Sequence, residues 1–252
     1  MSIWGALLGG AAGFAIGGPL GALLGAAAGH AVERVGQQAG LIETGQAGPQ
    51  SRRDGTRHIA FTIGVIALGA KMAKADGRVT RDEVDAFKRV FKVPPGESQN
   101  VARVFNMARQ DSAGFEPYAR QIAGLFRDKP AVLEELLHCL FYIAKADGQI
   151  HENELAYLKS VSSIFGFDAA TFDRIRASEI GEDKEDPYTI LGVTRDMDDD
   201  ALKHAYRELV REHHPDRLVA QGMPAEFVEV ADRRLAAINA AYDRIRAERG
   251  LT

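Results

Sequence analysis

Pro215 forces a break between two helical runs, and that break fixes the architecture of the C-terminal part of the chain. Proline holds its own φ, has no N–H to donate and disfavours the α region for the residue before it, here His214. The run from Leu202 to His213 carries Leu202, Ala205, Tyr206, Leu209, Val210 and His213 at i, i+3, i+4, i+7, i+8 and i+11, which is one apolar stripe. Lys203, Arg207 and Arg211 recur four apart on another face. Beyond the break, the run from Pro224 to Arg246 sets Phe227, Val230, Ala231, Leu235, Ile238, Tyr242 and Ile245 on one side. The spacing predicts a hairpin of two antiparallel helices with His214, Pro215 and Asp216 displayed on the loop between them. An exposed imidazole and carboxylate beside a cationic face describe a docking surface rather than a catalytic pocket. His213 is expected to pack. A His213-His214 metal site is not expected, because adjacent helical residues do not face one ligand together.

Local punctuation supports this layout. Asp198 is placed as an N-cap, with Asp199 and Asp200 at the positive end of the helix dipole. Asp186-Pro187-Tyr188 reads as N-cap followed by Pro at the first helical position, and Gly192 as the stop of that short helix. The blocks DPYTILGV, ALKHAYRELVREHHPD and INAAYDRI together resemble a J-domain, the module with which DnaJ-type co-chaperones engage Hsp70-class ATPases. The resemblance runs from Asp186 to about Gly250, with the blocks in family order and spacing. It implies that His214, Pro215 and Asp216 are the essential docking triplet and that Lys203, Arg207, Arg211 and Arg217 form the basic surface beside it. An exposed cationic face raises the association rate with an acidic partner, and an exposed Asp can pair with a partner's Arg. The sequence departs from the family pattern in two places. Arg217 stands where Lys is common, which keeps the charge, and Glu208 interrupts the basic helix with a negative charge.

At the other end, Met1 to Val32 contains no Asp, Glu, Lys or Arg, and Gly5, Gly9, Gly13, Gly17, Gly21, Gly25 and Gly29 recur at four-residue intervals. Glycines spaced this way line one helix face and let a second helix approach closely in a membrane, so a homodimer through this segment is one expectation. Ile3 to Gly29 exceeds the roughly 20 residues that a spanning helix needs. Trp4 and His30 suit the two interfaces, and Arg34, Arg52, Arg53 and Arg57 on the C-terminal side favour that side being cytoplasmic. A single-pass anchor in a bacterial inner membrane is the expectation. Gly17-Gly18-Pro19 leaves a kinked span, or a peripheral hairpin of two short helices, open.

Between these ends the pattern is helical, and one signature occurs twice. MAKADGRVTRDEVDAF from Met72 matches IAKADGQIHENELAYL from Ile143, with Asp76 over Asp147 and Glu83 over Glu154. In each copy a helix ends at Asp-Gly, where Gly permits a left-handed turn. Thr80 with Glu83, and His151 with Glu154, then fit capping boxes for the next helix. Val79 and Ile150 are placed as apolar staples. Two such turns in a helical unit of about 120 residues resemble the TerB family, linked to tellurite resistance and stress. Asp76, Glu83, Asp147 and Glu154 are the candidate metal ligands of this unit. They lack the alternating Asp/Asn set and bidentate Glu of a calcium loop, and turn and cap duties account for them. No metal and no cofactor are expected.

A glycine-rich N-terminal segment, a TerB-like unit and a C-terminal J-domain, in this order, resemble the DjlA family of membrane-anchored DnaJ-like proteins. Members often carry a long Gly/Gln-rich tether before the J-domain. Here only GEDKED separates the units, which implies a stiffer relation between them. The expected organisation is all-α: a membrane segment over 1–33, a polar linker over 34–56, a TerB-like bundle over 57–180 and a J-domain over 186–252. The expected function is to bind and stimulate an Hsp70-class ATPase, with client proteins left open; a metal-binding stress adaptor at the membrane is the alternative. Enzymatic chemistry is not expected, since no nucleotide-binding, hydrolase-elbow or zinc-protease motif occurs. A net charge of −4 gives no sign of nucleic-acid binding. The single cysteine, Cys139, lies in the apolar run LLHCLFYIA and is expected to be a small buried residue.

Overall fold

In a computed structural model, the chain is described at residues 17–23, 25, 49–76, 85, 98–111, 114–180 and 185–251. Among these, every element is helical. The central helix α1 (Pro49–Asp76) is buried around its whole circumference from Ile59 to Ala73, a mostly apolar stretch that must be wrapped on all sides. It is wrapped by α2 (Ser98–Gln110), α3 (Glu116–Leu125), α4 (Pro130–Ala144) and α5 (Glu152–Phe165). Gly64 permits the close approach of α3, since a Cβ there would lie 2.7 Å from Ile122 Cδ1. The one ammonium in this core, Lys71, is satisfied by the Asp111 carbonyl at 3.0 Å and carboxylate at 3.3 Å, and Tyr118 donates to the same carboxylate at 2.8 Å. α1 starts at Pro49, inside the segment expected to be a linker.

The second Lys-Ala-Asp-Gly turn forms as expected. A short 3₁₀ turn (Lys145–Asp147) ends at Gly148 with φ 93°, and His151 N–H donates to Glu154 Oε2 at 2.9 Å to open α5. Ile150 packs against the core. Val79, Thr80 and Glu83 of the first copy lie outside the described residues. α6 (Ala169–Ile180) completes the central unit, with Thr171 N–H capped by Asp168 at 2.8 Å.

The C-terminal unit comprises α7 (Pro187–Leu191), α8 (Asp199–Glu212), α9 (Pro215–Ala220), a 3₁₀ turn (Ala225–Phe227) and α10 (Val228–Arg249). Gly192 closes α7 in the left-handed region, and Asp198 caps α8 by accepting from Ala201 N–H at 2.8 Å. α9 corrects the expected bare loop. Pro215 ends α8 and is at once the first residue of a new short helix, with His214 as its N-cap. The same chemistry that makes proline stop one helix suits it to start another.

The hairpin is not self-contained. Tyr188, Leu191, Leu202, Ile238, Ala241 and Ile245 form its own core, yet Leu218, Met223, Phe227, Val230 and Ala231 belong to the core of the central unit. The two units therefore share one apolar interior at α9 and the start of α10.

At the N-terminal end, Gly17 and Gly18 both have positive φ (59° and 57°), and a helix begins at residue 18 with Pro19 in its first turn. Gln121 clasps this start: its amide donates to Gly17 O at 2.8 Å and accepts from Leu20 N–H at 3.0 Å. Leu20 and Leu23 are buried in the central core. Gly17 thus marks a turn rather than a helix face, Gly21 and Gly25 are each helical, and Gly5, Gly9, Gly13 and Gly29 fall outside the described residues. Among the described residues, no helix is long and apolar enough to cross a membrane.

Candidate docking surface

α8 presents two faces, as its spacing demands. Leu202 is buried, while Lys203, Arg207 and Arg211 are exposed along the opposite side. Arg211 is engaged by Glu208 one turn earlier, so the negative charge that interrupts the basic stripe draws on one cation and leaves Lys203 and Arg207 apart from it. Arg217, on α9, donates to Arg211 O at 3.5 Å and brings its own guanidinium alongside. The stacked rings of Tyr206 and Tyr242, 3.9 Å apart and 3° from parallel, hold α8 to α10.

The His-Pro-Asp step is built by the entry to α9. His214 takes an extended conformation, and its Nδ1 accepts Asp216 N–H at 3.3 Å, so the proton of the neutral ring sits on Nε2. Pro215 is buried and anchors the step, whereas the side chains of His214 and Asp216 are 49% and 95% exposed. An open groove runs between the two helices, with Tyr206, Arg207, Val210 and Arg211 on one wall and His214, Asp216 and Arg217 on the other. Of the residues expected at the docking surface, Arg207, Arg211, His214, Asp216 and Arg217 are thus brought together here, with Lys203 one turn back on α8. Such a face offers donors, one carboxylate and an apolar floor, which suits an extended acidic partner surface.

Behind this face lies a group that periodicity did not single out. Arg234 of α10 is buried and reaches Glu134 and, at 3.4 Å, Glu135, both on α4. Arg174 of α6 pairs with Glu134 at 2.7 Å, and the buried His213 ring sits 3.7 Å from the same carboxyl. His138, also on α4, bonds Glu179 at 2.7 Å. The available signal was Glu134-Glu135 inside an apolar helix, and Arg234 set between Ala231 and Ile238 on the buried face of α10. At the far end, Arg249 closes the hairpin through Tyr188 OH (3.1 Å), Met197 O (2.7 Å) and Asp199 (2.8 Å).

These charges predict an acid sensitivity. Burial, reinforced by Arg234, holds His213 and His138 below the ordinary imidazole value, so the folded chain keeps both rings neutral where the unfolded chain protonates them, near about 6.5. Burial pushes Glu135 the other way, up to about 7, against the pull of Arg234. Glu135 thus takes a proton in the folded state first and offsets one of the two histidines. Burial would raise Glu134 too, but Arg234 and Arg174 overcome it and keep this carboxyl well below the usual range. Below about pH 6.5 the unfolded chain therefore takes up more protons at these groups than the folded chain does. Stability should therefore decline as the pH is lowered through about 6.5. Urea unfolding at pH 7.5 and pH 5.5 measures it, and equal midpoints would contradict it.

Two of the candidate metal ligands of the central unit, Asp147 and Glu154, are occupied otherwise. Asp147 accepts from Gln149 N–H at 3.0 Å and lies 3.3 Å from His151, while Glu154 caps α5. Glu83 and the Asp76 side chain lie outside the described residues. Among the described residues no group of three or more His, Cys, Asp or Glu is arranged to hold a metal ion.

Comparison with known families agrees with this layout segment by segment. Residues 1–49 match the model described as the co-chaperone DjlA transmembrane domain, residues 62–177 the tellurite resistance protein TerB, and residues 186–248 the DnaJ domain. The co-chaperone protein DjlA of Photobacterium profundum is 29% identical over 98% of this chain and 99% of its own length. The chain belongs with the DjlA-type co-chaperones. DjlA of Coxiella burnetii is 28% identical over 98% of both chains, and that of Escherichia coli K12 is 26% identical over 77% of this chain. No solved structure matches. In this DjlA-type chain the J-domain is the C-terminal unit carrying the His-Pro-Asp step, and the TerB-like unit is the bundle around α1.

Proposed function

We propose that this J-domain co-chaperone binds an Hsp70-class ATPase through His214, Pro215, Asp216 and the basic face of Lys203, Arg207, Arg211 and Arg217, and that docking there stimulates ATP hydrolysis by the partner. The observation that carries the reading is the helix entry at Pro215: it buries the proline and leaves an imidazole and a carboxylate exposed beside a cationic helix. The chain itself supplies contacts and no chemistry. The charge-free segment before Glu33, matched to the family's transmembrane domain, anchors it in the bacterial inner membrane, with the basic residues that follow on the cytoplasmic side.

Cationic docking carries a salt signature. Steering by exposed charges fades once the Debye length falls from about 10 Å at 0.1 M salt to a few ångströms. Arg207→Glu reverses a charge at the centre of the face. It should raise the concentration needed for half-maximal stimulation of the partner's ATPase by about tenfold at low salt, and by much less at about 0.5 M. Steady-state ATPase titrations at both salts test this. Stimulation by Arg207→Glu equal to the parent chain at low salt would remove the basic face from the reading.

A further inference from the structure

The backbone on either side of the His-Pro-Asp step is anchored outside the J-domain. On its N-terminal side, His213 turns away from the tip, and its Nε2 lies 3.7 Å from Glu134 Oε2. Glu134 Oε1 holds Arg234 from α10 and, at 2.7 Å, Arg174 from α6. On its C-terminal side, Leu218, Met223 and Phe227 are packed among the apolar residues of the TerB-like unit. Gly222, at φ 112°, lets the chain pass so close to α1 that a Cβ there would sit 2.9 Å from Arg57 Cβ. The tripeptide is thus suspended between two attachments to the central unit: the ion pairs of Glu134 with Arg234 and Arg174, against which the neutral His213 ring is set, and an apolar contact.

Adhesion alone does not require the ionic attachment. Taking carboxylates and guanidiniums out of water costs several kcal/mol per ion before their attraction returns it, and well-packed apolar side chains of similar volume often hold two elements together as well or better. What a buried, directional pair adds is a single geometry, because a guanidinium meets a carboxylate from few angles whereas apolar surfaces can slide. Glu134 is placed to supply that geometry. It touches α10 through Arg234, α6 through Arg174 and the end of α8 through His213, one residue before His214.

We propose that Glu134 and Arg174 of the TerB-like unit are positioning residues for chaperone docking: through Arg234 and His213 they fix the pose in which His214 and Asp216 are offered to the partner. The TerB-like unit is then a working part of the docking apparatus rather than a passenger. The inference rests on the Hsp70-docking reading above.

Glu134→Gln preserves shape and removes the charge, leaving every residue of the docking face unaltered. In the full-length chain, reconstituted in lipid nanodiscs, a competent pose occupied about one fifth of the time raises the half-saturating concentration for ATPase stimulation about fivefold without changing the maximum. Arg174→Gln, at a side chain 14% exposed, keeps the Glu134–Arg234 pair and should shift half-saturation the same way by a smaller factor. A merely structural role would instead lower the maximum by removing folded molecules, which circular dichroism reports in the same samples. Unchanged half-saturation in both variants, or a lowered maximum with unchanged half-saturation, overturns the proposal. Should Glu134→Gln not fold, Arg174→Gln decides alone by the same criterion. His214→Gln run in parallel separates the two levels: if it is inactive while both positioning variants behave as the parent, only the positioning role is lost. If it stimulates fully, the docking reading itself falls.

Discussion

Exchanging His214 for Gln is expected to abolish stimulation of an Hsp70-class ATPase while leaving the chain folded. The ring contributes to the fold only by capping α9, where its Nδ1 accepts Asp216 N–H. Losing an N-cap costs about 1 kcal/mol, a small part of the stability of a chain whose α9 is also pinned by buried Pro215 and Leu218. For binding, the same ring and the Asp216 carboxylate line one wall of the groove between α8 and α9. On the docking reading proposed above, the ring makes a charge-assisted hydrogen bond to the partner; its loss would cost about 2 kcal/mol or more, about thirtyfold in affinity, and the coupling to hydrolysis with it. Steady-state ATPase rates alongside a thermal melt check both halves. A variant that melts like the parent and still stimulates would sink the assignment of this face.

The parts of this design that could be read from the sequence are those set by neighbours along the chain. Asp198 capping α8, Pro187 and Gly192 bounding α7, and Gly148 turning into the α5 cap all operate within a few residues, and each draws on a small set of suited residue types. Pro215 was half legible, because its missing N–H and fixed φ end a helix and begin one equally well. The ionic group behind the tip was not legible. Arg234 and Glu134 are 100 positions apart, and only the fold brings together two charges that each look misplaced on an apolar helix face. Nor was it legible that the apolar face of α10 reaches beyond the hairpin, with Phe227 and Val230 joining the core of the central unit. Periodicity places Phe227 and Val230 on the buried side of α10 without saying which unit covers them.

That last point carries the second large effect. Phe227→Ala should destabilise the TerB-like unit and the J-domain together. Phe227 is 1% exposed and meets Phe61 of α1 edge-on, with ring centroids 4.9 Å apart, and Phe61 in turn meets Phe126 at 6.3 Å. Truncating a buried Phe costs about 3–5 kcal/mol in transfer energy and residual cavity. In a chain of this size that lowers the melting temperature by about 10 °C. Because the missing ring is shared, the effect should appear in one transition. Amide exchange in α3, which packs on α1, should quicken along with that in α10. If these were independent domains on a short linker, the same substitution would loosen α10 and leave α3 at its parent rate. Hydrogen exchange resolved by helix distinguishes the outcomes, and protection retained in α3 would refute the shared interior. A common transition would mean that the His-Pro-Asp tip of this co-chaperone is held only as firmly as the bundle beneath it, so that whatever loosens the TerB-like unit also disorders the proposed docking surface.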